Sequence, residues 1–205
     1  MTTRLPPVPE TERTPEMTEF FEGFRSGVAS GGPEKERASG SNLLGTLARY
    51  PTLARAFLGF NTHLLRGTSL SGRLRELLVL RVAAIRRSDY EWAQHVILAR
   101  KFGITDDELA RISDAPHSPE WSATERAVLS SVDELLDDGM IADATWQILA
   151  GELDDWQLMD LVFTVGAYAM LGMALRSFGV EPEEELLPHL PVRSDSSAGN
   201  PTSRK

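Results

Sequence analysis

The chain has no cysteine among its 205 residues. Disulfides, thiolate metal sites, thiol nucleophiles and redox dithiols are all excluded on that ground. Lysine is nearly missing too, with three against eighteen arginines, and no basic cluster stands out. At a net charge of −9, nucleic acid is not an expected partner. No uninterrupted apolar run reaches the roughly 18 residues of a membrane span, and the start of the chain lacks a signal-peptide core. The sequence therefore predicts a soluble, cytoplasmic protein with no membrane contact. The four histidines are scattered without paired ligand spacing, so no metal site is expected: Glu91 with His95 supplies two ligands at best, where zinc wants three or four. Period-two alternation is absent, which leaves strands with little support.

What remains is a composition that is 41% hydrophobic, enough to bury a core, and a length that favours one domain. Residues 1–40 read as an arm. Pro6, Pro7 and Pro9 open it, Gly31, Gly32, Pro33 and Ser39-Gly40-Ser41 close it, and Phe20, Phe21 and Phe24 predict one short amphipathic helix inside it. Residues 191–205 read as a disordered tail. Between them, 41–190 predicts an all-α domain with helices near 43–49, 52–66, 71–86, 89–102, 106–112, 123–137, 142–150 and 153–178. Three capping boxes are expected at Ser88-x-x-Glu91, Thr105-x-x-Glu108 and Ser122-x-x-Glu125. Gly103 and Gly179 are placed for left-handed C-caps.

The helices near 71–86 and 153–178 are apolar around most of their circumference, which suits a bundle centre or a subunit interface. The second carries Gly166, Ala167, Ala169, Gly172 and Ala174, small enough to let neighbours approach. Met159, Met170 and Met173 read as core fillers.

The chemistry concentrates in Glu91-Trp-Ala-Gln-His95. Glu91 and His95 lie four apart, on one face of one helix, and Glu76 is the sole acid in the apolar helix before it. A buried carboxylate beside an imidazole is material for general acid/base work. Simpler roles compete: Glu91 as the third residue of a capping box, His95 as a hydrogen-bonded core residue, Glu76 as the partner of Arg73. Tyr168 offers a hydroxyl to a substrate carbonyl and Arg176 a bidentate grip on a carboxylate. Trp92 and His63 complete the candidate substrate-binding set.

Leu74-Arg-Glu76 through Ala84, then Tyr90-Glu-Trp-Ala-Gln-His95 through Gly103-Ile-Thr-Asp-Asp-Glu-Leu109, resembles the carboxymuconolactone decarboxylase family, which includes the alkylhydroperoxidase-D-like proteins. The resemblance spans about residues 41 to 180 and implies a compact helical bundle. In the peroxidase branch the pattern is a Glu, eleven residues, then Cys-x-x-Cys-x-x-x-His. Laid on this chain, the Glu falls on Glu76 and the His on His95, while the two cysteine positions hold Ser88 and Glu91. Dithiol peroxidase chemistry has no thiolate to use here. The acid/base half, Glu76, Glu91 and His95, is what survives. The decarboxylase branch implies cofactor-free lyase or isomerase chemistry on a small carbonyl, carboxylic acid or lactone substrate (decarboxylation, isomerisation, dehydration or cyclisation), in a homo-oligomer. The alternative is a non-catalytic, ligand-binding or oligomeric relative. On the resemblance, His95 exchanges the proton, Glu76 orients it, and Glu91 is the second acid or base.

Overall fold

The computed structural model describes residues 2–28, 40–114 and 117–191. The tail expected from 191 onward lies almost wholly outside them. Nine α-helices are described: α1 (Pro15–Val28), α2 (Ser41–Leu47), α3 (Pro51–Thr62), α4 (Gly72–Arg86), α5 (Asp89–Lys101), α6 (Asp106–Asp114), α7 (Ala123–Asp137), α8 (Asp143–Glu152) and α9 (Asp155–Phe178). No strand occurs among the described residues, as the missing period-two pattern predicts.

The expected helix 52–66 stops at Thr62 and continues as one π-helical turn, His63–Gly67. A short 3-10 segment, Glu184–His189, follows α9, where the sequence carried no helical signal. The capping boxes expected at Thr105 and Ser122 both form. Each hydroxyl accepts from the backbone of its Glu, and each Glu accepts from the cap N–H. Asp154 and Gln157 build another at the start of α9. Gly103 and Gly179 take positive φ, 78° and 69°.

α4 is the central helix. Leu77 to Leu80 and Val82 are fully buried, with α5 and α9 against two sides and α7 against a third. Arg73 leaves α4 to bind Glu108 and Glu125, the acids of the two capping boxes. Arg81 grips Asp133 with two N–H groups and the Ile112 and Ser113 carbonyls with a third nitrogen. These arginines tie α6 and α7 to α4. The N-terminal segment is tied down as well: the Arg4 and Leu5 amides donate to the Phe178 carbonyl at the end of α9, and Val8 N donates to Gly45 O. Phe20 and Phe21 of α1 bury against Leu44, Ala48 and Ala54, while the Phe24 side chain lies outside the described residues.

Two expectations about α9 are corrected. By length and composition it is long and apolar enough to cross a membrane, although most of that stretch is buried in the bundle; its charges fall near its ends, which a scan for unbroken runs overlooks. Met159, Met170 and Met173 do not fill the core: all three are about half exposed, because the buried face of α9 is carried by Leu161, Val165, Tyr168 and Leu175.

Candidate active site

The expected box at Ser88 does not form, and the reason lies in how α4 ends. Arg87 adopts left-handed backbone, φ 53° and ψ 42°. That lets Ser88 N donate to Ala83 O at 2.9 Å and Arg87 N to Ala84 O at 3.2 Å, the paired bonds of a Schellman motif. The Ser88 amide is consumed there, so Glu91 has no cap N–H to reach back to, and the Ser88 hydroxyl caps nothing. Glu91 instead turns into the interior. It comes so close to Gly172 of α9 that a Cβ there would stand 2.6 Å from Glu91 Oε2.

Neither Glu91 oxygen makes a hydrogen bond. Burial pushes its pKa up to about 8, with nearby Ser88 lowering it slightly. Burial thus favours its neutral carboxylic acid form near pH 7.

One turn further along α5, His95 Nδ1 sits 2.7 Å from Glu76 Oε2. Both side chains are almost completely buried. The other Glu76 oxygen accepts from Arg75 Nε at 2.9 Å and is ion-paired with Arg75 Nη2 at 2.8 Å, and Arg75 Nη1 donates to the Leu65 carbonyl. Glu76 thus pairs with its neighbour Arg75 rather than with Arg73. Burial works to raise the Glu76 pKa, but His95 and then Arg75 outweigh it, so the carboxyl is held below its usual range and ionised. With Glu76 ionised and an acceptor, the short contact fits an Nδ1 proton on His95 directed toward it.

The Tyr168 ring meets His95 edge-on, centroids 5.0 Å apart. His95 against Tyr168 and Glu91 against Gly172 step in opposite directions along the two helices, so α5 and α9 run antiparallel through the site. Trp92 is buried in the main core. Gln94 is buried as well, with its amide on the Tyr90 side of α5, facing Gly40.

Two of the expected substrate-binding residues lie apart from this group. Arg176 is exposed and donates to the Arg86 carbonyl at the end of α4. His63 binds Asp160 at 3.1 Å, and Asp160 also accepts from Thr68 Oγ1, Ser69 N and Ser69 Oγ. That cluster fastens the 68–70 turn to α9; neither residue joins the Glu76–His95 group. Sequence reasoning missed Arg75, Gln94 and the role of Gly172. Gly172 carried a signal as a small residue, but what it admits is a carboxyl group rather than a helix. Among the described residues, no group of three or more His, Asp or Glu side chains is placed to hold a metal ion.

The all-helical bundle that holds this Glu–His pair is a fold that several solved structures share. An uncharacterized peroxidase-related protein from Silicibacter sp. TM1040 superposes with a TM-score of 0.70 at 17% identity, covering 91% of this chain and 96% of its own. The alkylhydroperoxidase AhpD core of a peroxidase-related protein from Ralstonia eutropha JMP134 gives 0.70 at 17% identity, over 90% and 96%. The debrominase Bmp8 bound to 2,3,4-tribromopyrrole gives 0.70 at 14%, over 92% and 96%. At these identities the likeness is one of fold. Residues 51–134, which span α3 to most of α7 and include Glu76, Glu91 and His95, match the model of the Carboxymuconolactone decarboxylase family. No curated protein matches the chain in sequence.

Proposed function

We propose that the protein is a cofactor-independent acid/base enzyme that acts on a small carbonyl, carboxylic acid or lactone substrate. The observation that carries this reading is the opposed tuning of two buried acids, Glu76 bonded to His95 and held ionised, Glu91 one turn before His95 on α5 and pushed toward its neutral form. Titratable groups whose environments drive them apart in this way supply an acid and a base at one pH. His95 Nε2 takes a proton from the carbon next to the substrate carbonyl, and the ionised Glu76 at Nδ1 stabilises the imidazolium that forms. The Glu91 carboxyl gives its proton to the carbonyl oxygen, so the neutral substrate becomes a neutral enol. The reverse transfers return the proton to the same or a neighbouring carbon. Loss of carbon dioxide, isomerisation and elimination all pass through such an enol. Burial of the group excludes water, which strengthens each of these interactions.

The test is hydrogen–deuterium exchange at the carbon next to the carbonyl in a panel of small keto acids and lactones, followed by NMR in heavy water. Enzyme-dependent exchange should occur with at least one compound, and His95→Ala should slow it by about 10² or more. Exchange at the wild-type rate in His95→Ala removes the central residue and favours a ligand-binding role.

A further inference from the structure

Between Asp155 and Arg176, α9 carries a single charged residue, Asp160, and it is buried. Its carboxylate reaches the chain just beyond the π-helical turn. Oδ2 accepts from Thr68 Oγ1 at 2.9 Å, from Ser69 N at 2.7 Å and from Ser69 Oγ at 2.9 Å. Those bonds decide where the helix stops. Continued in α spacing, Ser69 N would bond to Leu65 O; in π spacing, Leu70 N would do so. Asp160 holds the first amide, and Thr68 Oγ1 accepts from the second at 3.2 Å. Thr68 itself is extended, with φ −63° and ψ 144°. The Leu65 carbonyl is left to face Arg75 Nη1, which donates to it at 2.6 Å.

A buried guanidinium needs acceptors in several directions at once. Arg75 has Glu76 Oε1 on one edge and Leu65 O on another, and its central carbon lies over the Phe102 ring, 5.2 Å from the ring centre. We propose that Asp160 is a positioning residue for the Glu76–His95 pair, acting through Ser69 N, Leu65 O and Arg75. By keeping the Ser69 amide off Leu65 O, it leaves that carbonyl to anchor Arg75. The anchored guanidinium is the counter-charge of Glu76. Without the anchor, burial favours a protonated Glu76. The carboxyl then turns from acceptor to donor at His95 Nδ1, and the imidazole proton moves to Nε2. On the acid/base reading above, that occupies the nitrogen which must accept the substrate proton.

The ring-nitrogen NMR shifts of His95, in the full chain labelled with heavy-nitrogen histidine, read which nitrogen holds the proton. His95→Ala assigns them. They need no substrate, so they test Asp160 even if no compound in the exchange panel reacts. Wild type should carry the proton on Nδ1, and Asp160→Ala should move it largely to Nε2. Asp160→Asn keeps an oxygen that can accept from Ser69 N and should resemble wild type. Adding Ser69→Pro to Asp160→Ala should restore the wild-type shifts. Proline has no amide to reclaim Leu65 O, and Thr68 already has the extended backbone that precedes proline. A compound that exchanges with wild type should do so about tenfold more slowly with Asp160→Ala. If Asp160→Ala does not fold, Asp160→Asn decides alone: a proton moved to Nε2 there means that the charge matters and the held turn does not. That result, wild-type shifts in a folded Asp160→Ala, or no rescue by Ser69→Pro each overturns the proposal.

Discussion

Glu76 and Glu91 are the same side chain one helix apart, and their surroundings decide which proton each keeps. Glu76 has two cationic or proton-donating neighbours within hydrogen-bond distance, Arg75 and His95. Glu91 has a glycine. Glu76→Gln leaves the Arg75 guanidinium buried without its counter-charge, and breaking a buried pair from one side costs about 3–5 kcal/mol. That variant should therefore melt well below wild type as well as lose exchange activity, whereas Glu91→Gln should lose activity without any fall in melting temperature near neutral pH, which thermal denaturation will show. Gly172→Ala probes the same group from the facing helix. Alanine favours the helix by about 1 kcal/mol, but its methyl occupies the place of Glu91 Oε2. Stability should change little while activity falls, so a fully active Gly172→Ala would show that the Glu91 position does not matter.

Among the elements, three helix starts look alike in sequence and only two behave alike. Ser122 and Thr105 cap their helices; Ser88 does not, because the Arg87–Ser88 turn already spends the Ser88 amide on α4. Ser122→Ala should accordingly cost about 1 kcal/mol by chemical denaturation, and Ser88→Ala close to nothing. A cost at Ser88 equal to that at Ser122 would restore the capping reading of Glu91. The same accounting applies at α9, where Asp154→Ala should resemble Ser122→Ala.

Across the whole molecule, the raised pKa of Glu91 links stability to pH. The folded state holds this proton up to about pH 8, while the unfolded chain releases it near the usual ~4.3. Between those values the folded state binds more protons, so this group's contribution to stability falls as pH rises and levels off above about 8. Glu76 acts in the opposite sense: its lowered pKa contributes stability above the carboxylate range that is lost on acidification. Denaturant titrations from pH 5 to 9 should show Glu91→Gln gaining on wild type by up to a few kcal/mol as pH rises. A constant difference across that range would mean Glu91 is ionised in the folded protein.

The helical class, most helix positions and the shared helix face of Glu91 and His95 were legible in the sequence because they rest on local rules: periodicity of 3.6, capping spacing, and two residues four apart on one face. The resemblance around residues 73–109 added the family. What lay beyond local rules was decided by tertiary structure. An arginine in left-handed backbone at position 87 carries no sequence mark, yet it redirects Glu91 from a helix cap to the interior. Glu76 chose Arg75 over Arg73 because Arg73 was drawn to two acids that lie 35 and 52 residues away in the chain. The methionines of α9 look the same in sequence whether they face the core or solvent, since a helix apolar on all sides does not say which side its neighbours cover. Partner choice among charged groups and the direction of an apolar face depend on contacts distant in sequence, and those exist only once the chain has folded.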